Sequence, residues 1–247
     1  MKRIALLLAL LPLGVWAQET DSAQIIVSRY LKMMNYTALP QDSTLVLETT
    51  ITFHGSNDTF TMRRWFAPPT MMRVEVWRGN KQTDGYCTNG NGRHREYVSR
   101  AGWWRDMNHS VFHDKIAAYD FRGPLYDWQL YGIKLSYQGE VTTKGQTLQV
   151  VRAEKQGNFT RYYFFEKKSG LLVLLQEKDE VPANDINSQA LKELHTKPVE
   201  YKVIHEYLPV NECLVPSQES FMRDGVLTIM NTTAHFEPRN NMTFNQD

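Results

Sequence analysis

Seven histidines, two cysteines and 27 acidic residues are the side chains of this 247-residue chain suited to metal binding, nucleophilic attack or proton transfer. The histidines are His54, His94, His109, His113, His195, His205 and His235, and none forms the H-E-x-x-H or a related spacing that seats a metal beside a general base. His109 and His113 are four apart, which puts two side chains on one helix face. No glutamate accompanies them in the catalytic arrangement, so two solvent-facing histidines are expected. Cys87 and Cys213 lie in no Cys-x-x-Cys or nucleophile signature. They are 126 positions apart, and the sequence leaves open whether they form a disulfide or stay as buried thiols. No nucleophile elbow, Ser-x-x-Lys, phosphate loop or dinucleotide glycine fingerprint occurs. Glu177 and Asp179 sit where a strand runs into a polar loop, a solvated position for an acidic pair. The expectation is a protein with no chemical step, no metal and no cofactor.

Without a catalytic set, binding becomes the question, and charge does not answer it. The 28 basic and 27 acidic residues nearly cancel, so no net field favours nucleic acid or an anionic membrane. Six Trp, twelve Tyr, eleven Phe and ten Met are more informative. Large flat and flexible apolar side chains fill a core, and they also line cavities that hold acyl chains without polar readout.

The chain opens like an export signal. Lys2 and Arg3 form a charged start, Ile4 to Leu11 an apolar run, and Val15-Trp16-Ala17 a small-residue site before Gln18. Cleavage after Ala17 leaves residues 18–247 as a mature chain outside the cytoplasm. The apolar run stops at Pro12, too short for a hydrocarbon core that needs about 20 residues, and no cysteine follows the cut to carry a lipid anchor. Asn-x-Ser/Thr sequons begin at Asn35, Asn57, Asn108, Asn158, Asn231 and Asn241. They signify glycosylation only in a eukaryotic secretory pathway.

The elements that would position a binding surface are mostly strands. Asp21 and Ser22 can cap a helix to about Asn35, with Ile26, Tyr30, Met33 and Met34 at helical spacing. Alternation then predicts strands over 45–53, 59–66, 71–77 and 84–88, with Gly55-Ser56-Asn57-Asp58 and Asn89-Gly90-Asn91-Gly92 as turns and Pro68-Pro69 stopping a ladder. Residues 102–130 change character: Trp103-Trp104, a short helix over 111–119, then Phe121, Leu125, Tyr126 and Trp128. Such a stretch either caps a core or forms a movable cover over an apolar cavity. Strands resume over 133–139, 148–154, 160–166, 171–177, 201–207, 214–222 and 226–235, interrupted by a polar loop over 178–198. About ten strands at short spacing fit one curved antiparallel sheet better than βαβ units.

The order of these elements resembles the periplasmic outer-membrane lipoprotein carriers, the LolA-like family. The resemblance rests on the N-terminal helix, on Arg64-Trp65-Phe66-Ala67-Pro68-Pro69, on Arg73-Val74-Glu75 and on Asn89-Gly90 before a strand. It continues through Gly145-Gln146-Thr147-Leu148-Gln149-Val150-Val151, the run from Arg161 to Leu172, and Tyr207-Leu208-Pro209-Val210-Asn211 followed by Val215-Pro216. It implies a mainly β fold: an incomplete, half-open antiparallel β-barrel of about ten strands with an N-terminal helix and a short helical lid, filling 18–247 as one domain. It also implies a periplasmic, monomeric carrier that shelters acyl chains of a lipid or acylated lipoprotein during sorting to the outer membrane, with membrane-bound donor and acceptor proteins as partners. The expected cavity lining is Leu47, Ile51, Phe53, Phe60, Met62, Phe66, Val74 and Val76 from strands, with Phe112, Ile116 and Tyr119 from the lid. The family places a basic residue directly before the proline that Pro69 matches. Pro68 stands there in this chain, and Arg64 and Arg73 are the nearby candidates to substitute for it. The alternative reading is a packed protein-interaction or sensor domain with no lipid ligand.

Overall fold

A computed structural model describes residues 22–68, 70–89, 93–108, 120–123, 125–143, 145–155, 159–178, 201–223, 225–240 and 244. Helix α1 covers 22–34, and a 3-10 turn follows at Tyr36–Ala38. The strands are β1 (Ser43–Phe53), β2 (Thr59–Ala67), β3 (Met71–Arg78), β4 (Lys81–Thr88), β5 (His94–Val98), β6 (Trp103–Asp106), β7 (Lys134–Thr143), β8 (Gln146–Lys155), β9 (Phe159–Glu166), β10 (Leu172–Lys178), β11 (Tyr201–Val210), β12 (Cys213–Arg223) and β13 (Val226–Pro238).

They form one 13-stranded sheet in the order β6-β5-β4-β3-β2-β1-β13-β12-β11-β10-β9-β8-β7, with β6 and β7 as its two edges, so the sheet is not closed into a barrel. Two meanders are thus joined where β1 pairs antiparallel with β13 over the full length of β1, from Ser43 opposite Pro238 to Phe53 opposite Thr228. The mainly β, half-open expectation holds, but the described residues form thirteen strands where about ten were expected. The additions include β5 and β6, five and four residues long, too short for alternation to stand out. Their turn closes with Ala101 N and Gly102 N donating to Val98 O at 3.0 and 2.9 Å, and Gly102 supplies the positive φ of 71°. The expected lid helix over 111–119 falls on residues outside those described, and so does the expected polar loop over 178–198 apart from Lys178, which ends β10.

The chain divides into two compact units. The first holds Met1–Met33, Asp127–Val203 and Met222–Gly225. There Ala23, Ile26, Val27 and Tyr30 of α1 are buried at helical spacing, and the Tyr30 ring meets Phe165 at 5.4 Å between centroids. Met33 points outward at 43% exposure, although its spacing had grouped it with the buried stripe. Arg29 holds α1 to the β9–β10 turn, donating to Lys167 O at 3.0 Å and Lys168 O at 2.8 Å. Gly170 is required beneath it, because its φ is +78° and a Cβ there would lie 2.8 Å from Arg29 Nε. Tyr163, Phe165 and Leu172 are buried on the same face of the sheet, and Leu148 and Val150 are buried on the other.

The second unit holds Met34–Tyr126, Ile204–Phe221 and Val226–Asp247. Cross-strand partners share a face of a sheet, so the register sorts its side chains into two sets. Leu45, Leu47, Thr49, Ile51 and Phe53 of β1 lie on one face opposite Phe66, Arg64, Met62 and Phe60 of β2, which in turn face Met72, Val74, Val76 and Arg78 of β3. The other face carries Trp65, Arg73, Cys87 and Trp104. Ala67, Met71, Cys87 and Phe244 form a small core there, flanked by Trp65 and Trp104. Arg73 is held against both tryptophans, with its guanidinium carbon 5.5 Å from the Trp65 ring and 5.3 Å from the Trp104 ring, and it pairs with Glu75. Both cysteines are buried free thiols, which settles the pairing left open by the sequence. Cys213 donates to Asn35 O at 3.1 Å, and the Asn35 side-chain amide donates to Glu212 O.

Candidate functional site

All eight strand residues expected to line a cavity lie on the Leu47 face of the second unit. The face is not uniform along the strands. Leu47, Met62, Phe66 and Val74 are buried, and Ile51, Phe53, Phe60 and Val76 are half-buried. Phe112, Ile116 and Tyr119 lie outside the described residues.

The packed end is covered by aromatic side chains from the 3-10 turn and from 121–126. Tyr36 meets Phe121 edge-on at 5.2 Å and Tyr126 at 5.8 Å, and Phe121 meets Phe66 at 5.5 Å. The Arg122 guanidinium is sandwiched between rings, 4.7 Å from Phe66 and 4.5 Å from Tyr126, while it grips Asp120 at 2.8 Å. Phe121 and Leu125 are therefore core-capping residues. Leu47, Phe66 and Val74 belong to that core.

The other end keeps apolar surface partly open. Phe53 and Phe60 meet edge-on at 5.6 Å, Met230 lies opposite Ile51, and Thr228 lies opposite Phe53. At the rim, Arg78 stands opposite Phe60, with its guanidinium carbon 5.8 Å from that ring and both Asp58 oxygens 2.7 Å from Nη2.

Between the two ends runs a buried polar belt. Arg64 Nη2 donates to Thr49 Oγ1 at 3.1 Å, and that hydroxyl shares a 2.9 Å hydrogen bond with Thr232 across the β1–β13 join. Burial draws the Arg64 pKa below its ordinary value, opposed first by the charge of Glu219, then by Asp120 and Tyr36. Glu219 is itself 5% exposed. Of the two basic residues that could replace the missing one before Pro69, Arg64 is on this face and Arg73 is on the opposite one. The belt was the main feature the strand reading missed, yet its signal was present: Arg64 occupies an apolar-phase position between Met62 and Phe66.

The described residues hold no cluster of three or more His, Cys, Asp or Glu that could bind a metal ion. His94 is buried, His205 Nε2 lies 2.8 Å from Ser220 Oγ, and His235 Nε2 lies 3.2 Å from Glu237. His109, His113, His195 and Asp179 lie outside the described residues, and Glu177 is ion-paired with Arg161. Among the described residues no helix is long and apolar enough to cross a membrane.

Comparison with solved structures finds a similar fold in LolA-like proteins. The chain is similar to a LolA superfamily protein from Nitrosomonas europaea, with a TM-score of 0.58 and 8% identity over 91% of this chain and 97% of that one. A DUF1329 family protein from Desulfovibrio piger is similar at a TM-score of 0.58 and 12% identity over 92% and 97% of the two chains. An outer membrane lipoprotein-sorting protein domain from Vibrio parahaemolyticus gives 0.56 and 6% over 90% and 94%. No family model and no curated protein matches the sequence. The resemblance read from the sequence therefore holds at the level of the fold.

Proposed function

We propose that this protein is a periplasmic carrier that shelters acyl chains of a lipid or acylated lipoprotein, without a chemical step. The observation that carries the reading is the half-buried row Ile51, Phe53, Phe60 and Val76 with Met230, on the same face as a fully packed core. Apolar surface removed from water contributes about 25 cal/mol per Å², so acyl chains laid on this row bind without a charged contact. The apolar N-terminal run supports export and cleavage after Ala17, and residues 18–247 then act outside the cytoplasm. Donor and acceptor membrane proteins are the partners such a carrier needs. The lipoprotein-sorting name of one structural neighbour agrees with this role.

Expression into a bacterial periplasm, purification without detergent and native mass spectrometry test the proposal. Bound acylated species, lost on Phe60→Asp, support it. A clean apo mass that also takes up no added lipid selects the second reading, a packed domain binding a protein partner, which the full burial of Leu47, Phe66 and Val74 favours.

A further inference from the structure

One line of side chains on the Leu47 face runs straight across neighbouring strands. The register sets Met230 of β13 opposite Ile51 of β1, Ile51 opposite Phe60 of β2, Phe60 opposite Arg78 of β3, and Arg78 opposite Lys81 of β4. Met230, Ile51 and Phe60 are half-buried, whereas Arg78 and Lys81 are exposed. Three apolar side chains are thus followed by two cations. With strands about 4.8 Å apart, the line is about 19 Å long and its apolar part about 10 Å. A single-chain amphiphile lying across the strands fits it, with the tail over the apolar part and the head at the cations.

The charges decide the sign of that head. Like charges directly opposite each other repel, and Arg78 and Lys81 face each other across the β3–β4 hairpin. Asp58 offsets Arg78, with both carboxylate oxygens 2.7 Å from Nη2. Asp84, the next residue of β4 on this face, already accepts from Gly85 N–H at 2.9 Å and from the Tyr86 hydroxyl at 3.2 Å. Lys81 has no ion-pair partner among the described residues. An anionic head meets that uncommitted ammonium beside the Arg78 guanidinium, whereas a cationic head adds a third positive charge to the line. Both cations are exposed, so water and salt hold the preference to a factor of about five. We infer that this line binds single-chain amphiphiles with an anionic oxygen head, a carboxylate or a phosphate, seated at Arg78 and Lys81, and discriminates against cationic heads. This rests on the carrier reading above.

The test is displacement of the neutral fluorophore N-phenyl-1-naphthylamine from the purified protein at pH 8 and low salt. The competitors are dodecanoate, monododecyl phosphate and dodecyltrimethylammonium, each below its micelle concentration. The two anions are expected to displace at a concentration about fivefold lower than the ammonium, and the better of the two names the head as carboxylate or phosphate. At about 0.5 M salt the preference should shrink to less than about twofold. Lys81→Glu should abolish or reverse it. Equal displacement by anions and ammonium in the wild type, or a preference unchanged in Lys81→Glu, overturns the inference and leaves the carrier intact. Should Lys81→Glu fail to fold, the salt series on the wild type decides, and a preference that does not fall with salt overturns the assignment. If the protein binds neither the fluorophore nor any of the three amphiphiles, the carrier reading itself falls.

Discussion

The Cys87 thiol donates to the main-chain carbonyl of Phe244 at 3.0 Å, fastening the C-terminal tail to strand β4 over the Trp65 face. Upstream, Arg239 holds the same tail, its main-chain N–H donating to Asp42 O at 3.0 Å and its guanidinium to Gln41 O and Pro68 O at 2.9 and 3.2 Å. Burial pushes the thiol up to about 11, against weaker opposing effects of Arg73, Arg95 and Arg93. A thiol so held is a poor nucleophile at neutral pH. Iodoacetamide at pH 8 is therefore expected to leave Cys87 unmodified in the native protein. Phe244→Ala should raise its labelling rate at least about tenfold, read by intact mass and peptide mapping; equal rates would show that the tail does not guard it.

The same thiol predicts an alkaline limit to stability. Its folded pKa lies above the unfolded value of 9.0, so unfolding releases a proton between pH 9 and about 11. Stability from this group is fully present below pH 9 and is lost as pH rises through the folded value. The rise from 9.0 to about 11 corresponds to roughly 3 kcal/mol lost by the upper end of that range. Tyr163, fully buried and pushed up to about 12, extends the decline. Urea midpoints should be insensitive to Cys87→Ala in their pH slope below pH 8 and less steep in the variant between pH 9 and 11.

Strand periodicity made much of this molecule legible. The phase of β1 to β3 placed eight apolar residues on one face, and the register confirms that arrangement. Periodicity did not show which of them are packed. Leu47 and Ile51 have the same phase on the same strand, yet Leu47 is buried and Ile51 half-buried, a difference set by tertiary packing that alternation does not encode. Glu219 was invisible for a similar reason: its charge acts on Arg64 across a fold in which β12 and β2 are separated by β13 and β1. The basic residue missing before Pro69 directed attention to Arg64 and Arg73 equally, and a one-position difference in strand phase puts them on opposite faces.

That difference in phase is testable with two adjacent arginines. Arg63 pairs with Glu48 on the Trp65 face, its side chain 47% exposed, whereas Arg64 is buried. Exposed pairs contribute little, so Arg63→Met should change stability by less than about 0.5 kcal/mol. Arg64→Met removes the charge that offsets Glu219 and Asp120 and should cost about 3 kcal/mol. Thr49→Val removes the hydroxyl joining Arg64 to Thr232 and should cost about 1 to 2 kcal/mol. Chemical denaturation of the three variants checks the order, and an Arg64→Met protein as stable as Arg63→Met would show that the belt is not held by charge.

The two ends of the Leu47 face separate packing from binding. Leu47 is fully buried, so Leu47→Ala loses transfer energy and leaves a cavity, at about 3 kcal/mol. Its neighbourhood on that face is packed, with Phe121 and Arg122 against Phe66, so under the proposed carrier function acyl uptake by the folded variant should stay within about twofold of the wild type. Phe60 is half-buried at the open end, where its ring meets Phe53 and the Arg78 guanidinium. Phe60→Ser should cost less than about 2 kcal/mol of stability, yet reduce uptake of a fluorescent acyl probe about tenfold. The opposite pattern, with uptake lost in Leu47→Ala and kept in Phe60→Ser, would place the ligand at the packed end. Equal small effects on uptake would remove this face from the binding site altogether.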